Sequence, residues 1–169
     1  MIARDQLDLK CPRCAGYAVF VEPYVFCNNA PATGPSKSWG SWHVIERYPH
    51  LLPWQAPKGA SSQYLVFGGK DGQGYSPLHR GVVECRAGCG RFIHELKWPE
   101  DAWWQWSIRG KVLWAWDRRH AQVILDYVRA THRPARSTRG WLGSLPSEFL
   151  SAKVRSDVVK AMTRSLDAP

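Results

Sequence analysis

Cys11-Pro12-Arg13-Cys14-Ala15-Gly16 and Cys85-Arg86-Ala87-Gly88-Cys89-Gly90 are the two stretches that decide the fold. Each contains two cysteines with two or three residues between them, so a tight turn brings two sulfur atoms together. Tetrahedral metal coordination requires sulfur atoms about 3.7 Å apart, as follows from metal–sulfur bonds of about 2.3 Å. The glycines let backbone amides turn toward sulfur and stabilise thiolates. We therefore expect both pairs to bind one metal ion.

The two stretches predict one structural Zn²⁺ per chain, with Cys11, Cys14, Cys85 and Cys89 as its ligands. They resemble the knuckles of a zinc ribbon, a hairpin-built fold with four cysteines that occurs in many transcription and replication proteins. Two departures from that pattern stand out. The second pair has one extra residue, and 70 residues separate the pairs, where roughly 15 to 20 are usual. A shared site across this insert is therefore an inference.

Cys27 offers an alternative set of ligands. It follows the apolar run 24–26 and could complete a site with Cys11, Cys14 and His43, leaving the later pair for another purpose. We favour a buried free thiol at a strand end, as is typical of isolated cysteines. No nearby histidine in the sequence activates it as a nucleophile.

Length and composition exclude several classes of protein. The chain has 169 residues, of which 44% are hydrophobic, enough for one domain with a core. No apolar run approaches the roughly 18 residues of a membrane span, and 10 Trp, 6 Tyr and 5 Phe exclude wholesale disorder. Because no apolar leader is visible and the number of cysteines, 5, is odd, we expect a cytoplasmic protein without disulfides.

The positive charge is concentrated in the C-terminal part of the chain. The formal net charge is +9, and residues 106–169 contain 12 Lys and Arg against 5 Asp and Glu. Such an excess favours a polyanionic partner, most simply nucleic acid, whose condensed counterions are released on binding. A basic surface without a partner is the alternative. The expected phosphate contacts are Arg109, Lys111, Arg118, Arg119, Arg133, Arg136 and Arg139.

We expect an α+β fold with two parts. Residues 1–116 predict a zinc-ribbon-like antiparallel β domain, and residues 117–169 a basic helical region packed on it. Strands are predicted at 17–26 with a break at Glu22-Pro23, and at 64–67, 81–84 and 91–96. Residues 28–62, rich in proline and glycine, predict an irregular insert. The glycines at 68–74 lack the spacing of a phosphate-binding loop and predict a hairpin turn.

Residues 98–116 are the aromatic centre of the chain. In a strand, Val112, Trp114 and Trp116 share one face, and Leu113 and Ala115 share the other. The tryptophans could stack on unpaired bases beside basic residues, but we expect most of them to be core. This segment is similar to a stretch of uncharacterised bacterial zinc-ribbon proteins, a resemblance that implies no activity.

The C-terminal part predicts three helical segments. Asp117 is a favourable N-cap for a helix through about residue 130, in which apolar residues repeat on one face. Pro146 suits the first turn of a short helix. Ser156 is expected to cap a last helix with a stripe of Val159, Met162 and Leu166, which docks on the preceding helix or on a partner.

These features favour a non-catalytic protein that binds nucleic acid. A four-thiolate site is coordinatively closed, so it is structural, and no small-molecule cofactor is indicated. Two alternatives remain open. One is an adaptor that docks on a larger complex. The other is an HNH-type nuclease, since His43 and His79 fall between the cysteine pairs, although no acidic residue precedes His43.

Overall fold

The computed structural model describes residues 6–56, 58, 80–132, 142 and 145–167. In these ranges the strands are β1 (Gln6–Lys10), β2 (Tyr17–Val21), β3 (Tyr24–Cys27), β4 (Lys37–Trp39), β5 (Trp42–Glu46), β6 (Arg80–Cys85), β7 (Gly90–Glu95), β8 (Trp104–Ile108) and β9 (Lys111–Ala115). The helices are α1 (Arg118–Arg129), a short 3-10 helix (Ser147–Leu150) and α2 (Ala152–Leu166). The predicted α+β class is confirmed.

A four-stranded antiparallel sheet, in the order β1-β2-β6-β7, carries both cysteine pairs. The first pair lies in the loop between β1 and β2, and the second at the turn between β6 and β7. Because β2 and β6 are neighbours and run antiparallel, with Ala18 opposite Cys85, both turns lie at the same end of the sheet. The core on one face consists of Leu7, Leu9, Cys11, Ala18, Phe20, Val83 and Phe92.

Two strands of the insert, β4 and β5, join β3 in a separate three-stranded sheet, in the order β3-β5-β4. The predicted break at Glu22-Pro23 is confirmed, since β2 and β3 belong to different sheets. The prediction of irregular structure throughout 28–62 is wrong at β4 and β5. Their two-residue turn places Gly40 at a φ of 59°, and the prolines flank the hairpin instead of interrupting it. Its core is Tyr24, Trp39, Val44, Leu52 and Trp54. The strand predicted at 64–67 and the turn at 68–74 lie outside the described residues.

The hairpin of β8 and β9 shares its core with the helices. Leu113 and Ala115 are buried on one face, as their alternation predicts, whereas Val112 on the opposite face is 47% exposed. Trp104 and Trp106 of β8 are also buried. The hairpin, assigned by sequence to the β domain, thus packs on α1 and α2. Their shared core includes Ile108, Ile124, Leu125, Val128, Leu142, Phe149, Val158, Met162 and Leu166.

The helices follow the predicted order but not all of the predicted starts. The carboxylate of Asp117 accepts a hydrogen bond from the backbone N–H of His120, which confirms it as the N-cap of α1. The prediction that Ser156 caps the last helix is wrong. Ser156 lies inside α2, whose N-cap is Ser151, directly after the 3-10 helix. Ser151 is extended, with a φ of −68° and a ψ of 147°, and separates the 3-10 helix from α2. Ala152, Lys153 and Arg155 favour helix, so α2 begins before Ser156.

Two arginines connect the start of each of the helices α1 and α2 to the end of the other. Arg118, the first residue of α1, donates from its guanidinium to the backbone oxygen of Leu166, the last residue of α2. Arg155, in the first turns of α2, donates to the backbone oxygens of Arg129 and Ala130 at the end of α1. The last carbonyls of a helix have no partner within it, so each helix satisfies the C-terminal carbonyls of the other.

Asp8 of β1 connects the four-stranded sheet to the hairpin and to α1. Its side chain accepts hydrogen bonds from the hydroxyl of Tyr17 at 2.9 Å, from Nε1 of Trp104 at 2.6 Å and from the backbone N–H of Arg118 at 3.1 Å. Its own N–H donates to the backbone oxygen of Trp116 at 2.8 Å. A single carboxylate thus joins the two cores.

The hydrogen bond between Tyr17 and Asp8 predicts a stability that falls at alkaline pH. Burial and this carboxylate raise the pKa of Tyr17 to about 12, above the ordinary value of about 10. The neutral phenol therefore stabilises the fold fully below pH ~10, and the contribution is lost as pH rises through about 12. We expect Tyr17→Phe to lower the free energy of unfolding by about 1.5 kcal/mol near neutral pH.

Denaturant unfolding of both proteins between pH 8 and pH 12 measures this difference. The variant keeps the ring contact between residue 17 and Trp103, whose centroids are 5.3 Å apart, so it tests the hydroxyl alone. The two stabilities should converge as pH approaches 12. A difference that stays constant over this range would contradict the prediction.

Candidate metal centre

The four cysteines of the two knuckles form one cluster. The Sγ atoms of Cys11, Cys14, Cys85 and Cys89 all lie within 4.8 Å of one another. Cys14 Sγ and Cys85 Sγ are 3.6 Å apart, close to the roughly 3.7 Å between thiolates of a tetrahedral site. The predicted juxtaposition of the pairs across the long insert is confirmed, and the cluster can hold a metal ion.

Local backbone geometry positions the sulfur atoms at each knuckle. In the first, the N–H of Ala15 donates to the oxygen of Cys11, and the N–H of Cys11 donates to the oxygen of Gly16. Ala15 adopts a φ of 58° to close this turn, a conformation that is uncommon without glycine. In the second knuckle, Gly88 and Gly90 have φ values of 103° and 76°. Their conformations are those that glycine adopts without strain.

Gly16 allows the two knuckles to approach each other. A Cβ atom at this position would lie 2.8 Å from Cβ of Ala87 and 3.3 Å from Sγ of Cys14. The first distance is below any ordinary carbon–carbon contact, so a side chain here would force the knuckles apart. Glycine at position 16 is therefore a requirement of the site itself.

Backbone amides favour the charged form of Cys85. The N–H groups of Cys89 and Ala87 donate to its sulfur, and together with the thiols of Cys11 and Cys14 they lower its pKa to about 6. The side chains of Cys14 and Cys85 raise the pKa of Cys89 to about 12. Without a cation, four adjacent thiols do not all ionise, because like charges repel. A bound cation reverses this balance and holds all four as thiolates.

The cluster lies at the edge of the core, closed by protein on one side. Cys11 is 1% exposed and packs among the core residues, while Cys14 is exposed. The guanidinium of Arg13 lies 3.9 Å from the ring centroid of Phe92. Four sulfur ligands complete a tetrahedral shell and leave no position for substrate, so the arrangement suits a structural ion.

Cys27 and His43 are not part of this cluster. They are paired residues on β3 and β5, and Cys27 Sγ lies 3.5 Å from the backbone oxygen of His43. Within the described ranges, the four-cysteine set alone brings three or more His, Cys, Asp or Glu side chains close enough to hold an ion. His79 lies outside those ranges.

The residues predicted to contact phosphates are engaged within the protein where the structure describes them. Arg109 pairs with Asp157 at 2.9 Å, and Lys111 pairs with Glu148 at 2.7 Å. Arg118 binds the end of α2, and its guanidinium lies 5.6 Å from the ring centroid of Trp104. Arg119 is exposed on α1. Arg133, Arg136 and Arg139 lie outside the described residues.

The tryptophans of the aromatic segment are largely structural. Trp104 and Trp106 are buried, and their Nε1 atoms donate to Asp8 and to the hydroxyl of Ser165. A second group is half-buried, with Trp98 stacked on Trp116 at 4.7 Å and Trp114 edge-on to both rings. Sequence reasoning did not identify Asp8, because its partners come from distant segments and nothing in the sequence shows a shared carboxylate.

Comparisons with protein-family models, curated proteins and solved structures gave no match, so the interpretation depends on the geometry of the chain itself. Among the described helices, none combines the length and apolar character that a membrane crossing requires.

Removing one cluster sulfur should abolish metal binding. We expect Cys85→Ser to reduce the bound metal from about one ion per chain to nearly none, since three thiolates hold the ion far less tightly. Metal binding contributes on the order of 10 kcal/mol in small metal-dependent domains, so the melting temperature should fall sharply. Cys27→Ser is the matched control and should retain its metal. Equal metal content in both variants, measured by elemental analysis, would refute the assignment.

The close approach at Gly16 gives a second, independent test. We expect Gly16→Ala to weaken metal binding, because the added methyl group collides with Ala87 and separates the knuckles. Adding Ala87→Gly removes the colliding atom and should restore much of the affinity. Competition with a chromophoric chelator measures the metal affinity of the single and the double variant. Failure of the second substitution to recover affinity would show that the contact does not limit the site.

Proposed function

We propose that the chain is a non-catalytic zinc protein of zinc-ribbon type that binds nucleic acid through its basic C-terminal region. The cluster of Cys11, Cys14, Cys85 and Cys89 supports the first half of the proposal. Four thiolates in a tetrahedral arrangement are the preferred environment of structural Zn²⁺. The ion would hold the β1–β2 and β6–β7 hairpins together at the end of the sheet where both turns lie.

A reducing compartment fits this ligand set. All five cysteines are free thiols, and thiolate ligands persist where disulfide formation is suppressed. We therefore include a cytoplasmic location in the proposal.

The distribution of charge supports the second part of the proposal, that the chain binds nucleic acid. The net charge is +9, and most of the excess lies between residues 106 and 169. Polyanion binding releases condensed counterions, which supplies affinity without sequence-specific contacts. Of the stripe predicted on α2, Met162 and Leu166 are buried in the chain's own core, whereas Val159 is half-buried and its neighbour Val158 takes the buried position. This makes the cationic surface of the helices a better candidate interface than their apolar faces.

Binding of zinc-loaded protein to single- and double-stranded DNA and RNA tests the proposal. We expect fluorescence anisotropy to show affinity that falls with salt, with a logarithmic slope steeper than about −2, as three or more phosphate contacts produce. Absence of binding at low salt would overturn the proposal. Co-purification of one stoichiometric protein partner would then favour the adaptor. Cleavage that depends on a divalent metal and disappears in His43→Ala would favour the nuclease.

A further inference from the structure

An open groove separates the C-terminal end of α1 from the N-terminal half of α2. Its volume is about 470 Å³, and it is far from the cysteine cluster along the chain. Its lining residues are Arg129, Ala152, Arg155, Ser156, Val159 and Lys160. Three of these six side chains are cationic, one is a hydroxyl and none is acidic.

Within the described residues, the two arginines of the groove are bound only to neutral oxygens. Arg129 donates to the hydroxyl of Thr163 at 2.6 Å. Arg155 donates to the backbone oxygens at the end of α1. A guanidinium has five N–H donors, so these bonds fix its orientation, leave other donors available and do not neutralise its charge.

Asp157 and Asp126 are the carboxylates on the two helices nearest in sequence to the groove cations, and within the described residues neither forms an ion pair with them. Asp157, which follows Ser156, pairs with Arg109 at 2.9 Å. Asp126 on α1 accepts a hydrogen bond from Gln122 at 2.8 Å. Arg109 is thus paired with a carboxylate, whereas within the described residues no ion pair involves Arg129, Arg155 or Lys160. An uncompensated cluster in a concave surface concentrates an attractive field for anions.

We propose that Arg129, Arg155 and Lys160 form a binding site for a phosphate group of a nucleic-acid backbone. This inference rests on the proposed function. In it the groove cations, instead of Arg109, Lys111 and Arg118, are the principal contacts to the nucleic acid. Two guanidinium groups and an ammonium provide charge-assisted donors suited to phosphate oxygens, and the Ser156 hydroxyl adds a neutral donor. Phosphate oxygens are the same at every nucleotide, so contacts to them alone make binding insensitive to sequence.

The test compares two double variants of the full-length zinc-loaded protein. Arg129→Gln with Lys160→Gln removes two groove charges, and Arg80→Gln with Lys97→Gln removes one arginine and one lysine from exposed positions on β6 and after β7. Both variants have the same net charge. Arg155 is left in place because it closes the end of α1.

We expect the groove variant to bind DNA or RNA roughly 30-fold more weakly at 0.15 M salt, with a slope reduced by about 2, as the loss of two phosphate contacts implies. The control variant should keep the slope of the wild type. If both variants weaken binding equally, the groove proposal is overturned, while the proposed nucleic-acid binding stands. Should the double variant fail to fold by circular dichroism, the exposed Lys160→Gln alone is expected to lower the slope by about 1, and an unchanged slope overturns the groove.

A separate arm distinguishes a free phosphate from a nucleic-acid phosphate. Inorganic pyrophosphate is titrated into labelled protein, and the Nε–Hε signal of Arg155 is followed by NMR. If the wild type binds no nucleic acid, a shift of this signal that is lost in the groove variant supports a site for free phosphate compounds, and only the proposed function fails. No shift and no nucleic-acid binding would overturn both.

Discussion

The pairing of β2 with β6 is the constraint on which the rest of the structure depends. It places Ala18 opposite Cys85 and so brings the two knuckles to one end of the sheet. Without this pairing the four sulfur atoms do not meet. The 70 residues between the pairs impose a loop-closure cost only about 1 kcal/mol above that of a usual ribbon spacing, because this cost grows slowly with length. Metal binding, on the order of 10 kcal/mol, easily offsets it.

The metal cluster and the helical core depend on each other through β1. One end of β1 leads into Cys11, and Asp8 within it accepts hydrogen bonds from the hairpin and from the start of α1. The backbone reinforces this connection, since Lys10 donates to the oxygen of Asp101 at 2.8 Å. Because β1 is anchored at both places, loosening the cluster removes support from the helical core as well.

Local features were predictable from sequence, and long-range ones were not. The knuckles, the N-cap at Asp117 and the alternation of Leu113 with Val112 depend on neighbours within a few residues, so pattern reasoning identified them. The hairpin of β4 and β5 was missed because the surrounding prolines and glycines suggest loops, whereas buried Trp39 and Val44 stabilise strands through tertiary packing. The start of α2 was misplaced because the 3-10 helix before Ser151 leaves no strong boundary in the sequence.

The same limit applies to the candidate sites. The spacing of the cysteine pairs by itself indicates a metal site, so all four cluster residues were predictable. The roles of the arginines were not, since Arg109 and Arg118 look identical in sequence to Arg129 but have different partners in space.

The reciprocal closure of α1 by Arg155 and of α2 by Arg118 has a further consequence for binding. Sliding one helix along the other by a turn breaks both sets of bonds at once, so the separation of Arg129 from Lys160 is set before any ligand arrives. Association then orders little of the protein, and the entropy lost on binding falls mainly on the ligand.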